Sequence, residues 1–360
     1  RYIYIPSVPH VWSDPPAPDP QYNHPIGAYL YERGGGRYRL GAPPAEDLAF
    51  NPEGAVVTPA DGAEFGDADH VLSYGNPQAE LSIAMTGTIV ADLSQCGVLA
   101  VTGADAETFL QGQFTNDVKQ IDAAHSQLNG YCSAKGRLLA TFRLWREDEG
   151  FVLTMPRVML EPIVKRLRMF VLRSAVTLDD VSDRRVRLGV SGADAVARLQ
   201  AFALPVPGNG EVAHKGEVTI IRLPGAQPRF EVHGPIGTMM KLWETLNVRC
   251  APAGVAAWNL LDIQAGIPAI LPETADAFVP QMVNYQRIGG VSFKKGCYPG
   301  QEVVARMQYL GKLKRQMYLA RIDAVETPRP GDDLFTLDDP EQSAGKIVNA
   351  APHPDGGYQV

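Results

Sequence analysis

From about residue 75 the apolar positions fall into short units that mix strand and helix patterns. Val98–Val101 predicts a strand, and Thr102 is placed to cap a helix over Ala104–Val118 with Phe109, Leu110 and Phe114 on one face. Leu128–Cys132 and Leu138–Trp145 predict two strands joined by the turn-forming Ser133-Ala134-Lys135-Gly136, and Phe151–Met155 a third. Glu161–Val171 predicts a basic amphipathic helix with Ile163, Leu167 and Phe170 on one side. A second unit repeats the mixture: strand Val186–Val190, helix Ala193–Phe202, strands Val218–Leu223 and Arg229–Val232, helix Met239–Leu246. After residue 315, Met317–Ile322, Asp333–Thr336 and Gly345–Val348 predict short strands with Pro, Gly and Asp turns, as in a small barrel. The fold class read from this is α+β, in layers rather than one long parallel sheet.

Residues 1–50 differ. They hold nine of the 29 prolines and the run Gly34-Gly35-Gly36. Proline removes backbone donors and glycine raises the ordering cost, so a flexible extension is expected there, with neither helix nor sheet favoured. Tyr2, Tyr4 and Trp12 are candidates to dock on the body. The chain begins with Arg, so a start upstream is expected, and the strand pattern reaches Val360 unfinished, so the last barrel strands are expected to be missing.

Charge changes the picture locally. Lys+Arg 33 against Asp+Glu 40 gives −7, which argues against a protein that coats nucleic acid. Against that background Asn284–Arg315 carries Arg287, Lys294, Lys295, Arg306, Lys312, Lys314 and Arg315 with Glu302 as its only acid. Such a segment suits an anionic ligand, or is an exposed face rich in cations. Within it, Phe293-Lys294-Lys295-Gly296-Cys297-Tyr298-Pro299-Gly300-Gln301-Glu302 sets a thiol in a tight loop beside cations. Neighbouring lysines favour thiolate, so Cys297 is either a working thiol or a packed structural one. Cys96, Cys132 and Cys250 lie in apolar or strand contexts and read as core. Four scattered cysteines without a CxxC pair suggest a reducing compartment and no structural zinc, and no metal ligands are assigned. No apolar run is long enough to span a membrane, and no signal-peptide pattern is present, so a cytoplasmic location is expected, with the mitochondrial matrix as the alternative. No GxGxxG follows a strand and no GxxxxGK[ST] occurs.

Lys295-Gly296-Cys297-Tyr298-x-Gly300-Gln301-Glu302-x-x-Ala305-Arg306 resembles the signature of the folate-binding YgfZ family, relatives of the glycine-cleavage T-protein, an aminomethyltransferase. The resemblance continues through Pro280-Gln281, Asn284 and Gly289-Gly290-Val291-Ser292-Phe293. It includes Trp258 and Asp262-Ile263-Gln264-Ala265-Gly266-Ile267-Pro268, and, nearer the start, Phe109-Leu110-Gln111-Gly112-Gln113, Thr115-Asn116-Asp117-Val118 and Tyr131-Cys132-Ser133-Ala134-Lys135-Gly136-Arg137. It covers about residues 75–360. It implies a three-part, ring-like fold around a central cavity that binds tetrahydrofolate. Residues 75–185 would form a first α+β folate-binding unit and 186–250 a second. Residues 251–314 would complete the cavity with a helix and the Cys loop, and 315–360 would form the small barrel. It also implies a role in assembly or repair of iron–sulfur clusters, with an indirect effect on thiomethylation of tRNA.

On this resemblance Trp258 is the candidate to stack on the pterin, although a core role suits an indole on an amphipathic helix equally well. Cys96 stands where a relative has a second such Trp, and Gln264 where an acidic or basic residue is often found. Lys295 and Arg306, then Lys135 and Arg137, are candidates to meet the glutamate tail. Cys297 is the candidate thiol, and Gln301 and Glu302 the candidates to orient its loop. The T-protein's catalytic Asp follows a glycine-containing turn; here that turn runs Gly136-Arg137-Leu138-Leu139-Ala140-Thr141, without a carboxylate. General acid–base chemistry needs a titratable group within reach. The lead expectation is therefore a folate-binding accessory protein whose partners are iron–sulfur enzymes or cluster-assembly proteins, with no membrane and no direct nucleic-acid contact. The rival is a folate-dependent aminomethyltransferase, for which Asp117 is the candidate replacement acid. A direct RNA-binding role for residues 284–315 has only Tyr298 and Tyr309 for base stacking.

Overall fold

The computed structural model describes residues 29–31, 40–41, 56–57, 64–65 and 70–360, apart from 149, 325 and 336–341. Tyr29–Tyr31 pairs antiparallel with Leu40–Gly41 and with Val56–Val57, so sheet is present where a featureless extension was expected. Tyr2, Tyr4, Trp12 and most of the expected extension lie outside the described residues.

Two sheets build the body. The first has five antiparallel strands in the order Thr177–Asp180, Cys96–Thr102, Gly150–Pro156, Leu138–Glu147, Ser126–Cys132. Side chains alternate across a strand, and both faces of this sheet are buried. Leu99, Val101, Phe151, Leu153, Phe142 and Leu144 face a core shared with helices Ala106–Gln111 and Arg157–Val171. Val98, Val152 and Trp145 face the other way, towards the second sheet.

The second sheet has six strands, ordered Val212–Lys215, Val218–Leu223, Arg229–Gly234, Val186–Ser191, Ile89–Asp92, Ala251–Ala253. Only the last pairing is parallel. Its outer face packs Val90, Ile220, Phe230 and Val232 against helices Ala195–Ala201 and Ile236–Asn247. Its inner face, with Ile89, Ala91, Ile221 and Leu223, meets the first sheet and helices Pro77–Thr86 and Val255–Gln264. This sheet therefore draws strands from all three of the segments 75–185, 186–250 and 251–314. Ile89–Asp92, buried at all four positions, gave no alternation by which to predict it.

Some predicted elements change. The helix expected over Ala104–Val118 stops at Gln111, and its N-cap position is Asp105 rather than Thr102. Phe114 leaves the helix to bridge Tyr131, which places it in the core by another route. Phe170 is 42% exposed, although Ile163 and Leu167 on the same helix are buried. Met317–Ile322 is strand only at Arg321–Ile322. Arg321–Ile322, Tyr358–Gln359 and Ala351–Pro352 form a three-stranded sheet, and Asp333–Phe335 a hairpin with Ser343–Lys346; no closed barrel results among the described residues.

A tether fixes the Cys297 loop to the first sheet. Thr115 Oγ1 donates to Gly290 O (2.7 Å) and accepts from Gly130 N (2.8 Å). Asn116 Nδ2 donates to Leu128 O (3.0 Å) and Gly289 O (2.5 Å). Lys295, 8% exposed, donates from Nζ to Gln111 O (2.6 Å) and to Phe114 O. Gly300 and Gly136, both at φ above +60°, pack against each other, and a Cβ on either would strike the other's backbone. The hairpin turn 133–136 and the Cys loop are thus one assembly.

Two outcomes are expected. A Cβ at Gly189 would lie 2.4 Å from the Trp258 ring, so Gly189→Ala should cost about 1–3 kcal/mol in urea unfolding. Burial pushes the Lys295 ammonium down to about 8, below its ordinary 10.5. Between those values the unfolded chain binds more protons, so this group adds stability as pH rises from 8 to about 10.5. The unfolding midpoint of the wild type should gain on that of Lys295→Met over this range; a constant difference would contradict it.

Candidate functional site

Between the two sheets, beneath helix Val255–Gln264, lies a cavity of about 350 Å³. The strand Arg229–Gly234 explains its chemistry. Phe230 and Val232 point into the outer core. With a period of two, Arg229, Glu231 and His233 must then point inward, where Glu231 pairs across to Gly189 and Ile221. Gly189 leaves the space that the Trp258 ring fills.

The inward charges are paired. Arg229, 1% exposed, donates from Nη2 to Asp262 Oδ1 (2.6 Å) and from Nη1 to Leu261 O (3.0 Å), and its guanidinium lies 4.5 Å from the Trp258 ring centroid. His233 Nε2 is 3.2 Å from Glu231 Oε2, and the imidazole packs on Trp145. Glu231, Asp262, Arg143, Thr154 and Gln95 line the cavity, with Met155, Ile263, Ile267 and Leu271 among its apolar walls.

The two carboxyl groups are tuned apart. Burial works to raise Glu231, but His233, Arg143 and Arg229 outweigh it and hold the group below its ordinary range. At Asp262 burial prevails over Arg229, and the carboxyl is raised. Gln95 adds an amide whose oxygen and nitrogen have no partner among the described residues. Cys96 also lines the cavity, and burial pushes its thiol up to about 12, which suits an unreactive wall group.

A second cavity, of about 910 Å³, adjoins the first; Ile263, Ile267, Pro268 and Asn349 belong to the walls of both. Arg137 lines it and donates to Ala277 O (2.5 Å).

Of the residues singled out by sequence, Trp258 and Cys96 line the first cavity and Arg137, Arg287, Lys314 and Arg315 the second; Lys135, Lys295, Cys297, Gln301, Glu302 and Arg306 line neither. Trp258 is 2% exposed, held between Gly189 and Arg229, so little of its ring is free to stack on a ligand. Lys295 is committed to the carbonyls of Gln111 and Phe114. Lys135, Arg306 and Glu302 are exposed. Gln301 Nε2 donates to Gly296 O (3.4 Å) across the Cys loop, and Cys297 is exposed. Asp117 accepts from Gln111 and Gln120, away from both cavities. Glu231 and Arg143 were missed as site residues. The available signal was three ionisable residues at alternate positions, 229, 231 and 233, of a strand with an apolar opposite face; such a face reads as solvated unless a second sheet covers it.

The comparisons with known proteins agree with this architecture. The GCVT N-terminal domain family model matches residues 59–211. The glycine cleavage system aminomethyltransferase T from Bartonella henselae superposes with a TM-score of 0.71 at 20% identity, over 83% of this chain and 85% of that one. A chain of the heterotetrameric sarcosine oxidase from Corynebacterium sp. U-96 matches at 14% identity over 49% of this chain and 92% of its own, with a TM-score of 0.36, too slight to inform the fold. The chain thus has a fold like that of the glycine cleavage aminomethyltransferase T.

Proposed function

We propose that this chain binds tetrahydrofolate in the cavity between its two sheets and acts as an accessory protein in iron–sulfur cluster assembly or repair, in the manner of the YgfZ family. The observation that carries the folate reading is the pair of carboxyl groups, Glu231 and Asp262, set into a cavity with largely apolar walls. A pterin presents N–H donors along one edge, and an ionised carboxylate accepts two of them side by side. Glu231 is the acceptor we assign, steadied by His233. Asp262, whose Oδ1 accepts from Arg229, places a second carboxyl at the wall. The unpartnered Gln95 amide offers a further donor and acceptor. Bound tetrahydrofolate would supply a carrier for one-carbon units.

Cys297 is the thiol we assign to the cluster-related role. Its loop is rigidly tethered through Lys295 while the cysteine itself stays exposed, the arrangement a thiol needs to meet a partner protein. The partners proposed are iron–sulfur enzymes or cluster-assembly proteins, with any effect on tRNA thiomethylation indirect. Among the described residues no helix is long and apolar enough to cross a membrane.

A second reading, a folate-dependent aminomethyltransferase, gains from the same carboxyl pair. The hairpin turn lacks an acid, but Asp262 provides one inside the cavity.

Anaerobic calorimetric titration of tetrahydrofolate tests the shared part. Binding is expected, weakened at least about tenfold by Glu231→Gln because a charge-assisted contact is lost. A wild type that takes up no tetrahydrofolate overturns the folate reading. The two roles separate in a further pair of assays. Cys297→Ala should keep folate binding yet fail to support cluster enzymes in cells lacking the wild-type chain. Full complementation by that variant, with ammonia and methylenetetrahydrofolate released from an aminomethylated carrier protein, would favour the transferase instead.

A further inference from the structure

Helix Arg157–Val171 covers the first sheet with Met159, Leu160, Ile163, Val164 and Leu167. Its outward face is not the polar one that a surface helix usually shows. Val158, Pro162, Lys165, Met169 and Leu172 recur at spacings of four and three and form one exposed stripe, about 20 Å long. Val158, Met169 and Leu172 are 57%, 60% and 86% exposed. Leu172 ends the helix at φ +47°, a region that leucine rarely adopts, and so exposed a side chain gains little packing to offset that cost.

The stripe is set among cations. Residues 157–173 carry Arg157, Lys165, Arg166, Arg168 and Arg173 with Glu161 as the only acid, in a chain whose net charge is −7. Arg157 is paired with Asp183, Arg168 donates to Leu178 O (3.2 Å), and the Arg166 guanidinium lies 5.8 Å from the Tyr131 ring centroid. A carbonyl or a ring orients a guanidinium and leaves its charge in place. Lys165 and Arg173 are exposed and form no ion pair among the described residues. Of the acids that follow along the chain, Asp179 is paired with Arg184 and Asp180 accepts from Ser182.

We propose that this face docks the protein on the surface of an anionic lipid bilayer, with Val158, Met169 and Leu172 entering the headgroup layer and Lys165, Arg168 and Arg173 meeting lipid phosphates. Protruding apolar side chains suit a layer that yields to them, whereas a protein partner would need a matching hollow for each. Lys165, within the stripe, has a stem long enough to lie along its apolar neighbours while the ammonium stays at phosphate level. A helix lying in the interface gains from buried apolar area and from attraction to anionic lipid together. Such docking needs no spanning helix, and it revises the expectation of no membrane contact. Val158 also lines the first cavity, but Lys165, Met169, Leu172 and Arg173 line neither, so the inference stands apart from the folate reading.

The test is flotation of the full chain with vesicles of phosphatidylcholine alone and of an equimolar mixture of phosphatidylcholine and phosphatidylglycerol. The wild type should bind the mixed vesicles at least about tenfold more tightly than the neutral ones at low salt, an advantage that shrinks as salt is raised. Lys165→Gln/Arg173→Gln should remove most of that advantage. Met169→Ser/Leu172→Ser keeps every charge and should weaken binding to the mixed vesicles at least about tenfold. All four substituted side chains are exposed, so the urea unfolding midpoints of both variants should match that of the wild type. A wild type that floats equally with the two kinds of vesicle overturns the inference. One that floats with neither overturns it too and leaves the stripe to a protein partner. Binding to mixed vesicles that survives in both variants overturns the assignment to this face.

Discussion

Three ionisable side chains, Arg229, Glu231 and His233, point into the interface between two sheets that would otherwise close on apolar groups. Burying charge is costly unless each group finds a partner. The fold answers with Asp262 from the overlying helix, Trp258 beneath the guanidinium and Trp145 against the imidazole. These partners hold helix Val255–Gln264 over the sheet and oblige Gly189 to be a glycine. The unfilled space left around the paired charges is the first cavity. An apolar replacement of the network would pack the sheets more simply and would remove the polar groups that a ligand needs.

The Cys loop is governed by a different economy of bonds. Its chain is irregular, and buried irregular backbone must find hydrogen-bond partners outside a ladder. Thr115 and Asn116 satisfy Gly289 and Gly290 from more than 170 positions away, and Lys295 donates its ammonium to the carbonyls of Gln111, at the end of helix Ala106–Gln111, and of Phe114 just beyond it. A lysine that looks like a ligand-binding cation is thereby a structural one. Its role would have been hard to read from charge alone, since its neighbour Lys294 carries the same charge and is exposed.

Much of the fold was legible because strands with regular alternation declare themselves: Val218–Leu223 has the bounds that its pattern predicted. The hairpin around Ser133–Gly136 was also readable from its turn chemistry. Ile89–Asp92 was not, since a short strand buried on both sides has no period to detect. The helix after Thr102 was overextended because Phe114 is apolar at helical spacing, whereas its backbone is claimed by a bridge to Tyr131. The site was less legible than the fold. Sequence proximity drew attention to cations around Cys297, but the cavity is assembled from side chains on separate strands and a helix. Of the residues assigned to ligand contact by motif, only Trp258 and Arg137 reach a cavity wall, while Cys96 and the cations Arg287, Lys314 and Arg315 reach one without having been assigned there.

The missing acid at the hairpin turn therefore weighs less than it did in the sequence alone. That turn runs from Gly136 to Thr141 without a carboxylate, and Gly136 is pressed against Gly300 and Val303 of the Cys-loop assembly. A carboxyl group just beyond it would compete with this packing. The acid inside the cavity instead comes from Asp262, whose Oδ1 accepts from a buried arginine while burial works against that arginine to raise the carboxyl. The exposed thiol at Cys297 lies outside both cavities and cannot act there. Chemistry at Cys297 and chemistry in the first cavity are thus separable in this fold, and a variant at one can leave the other untouched.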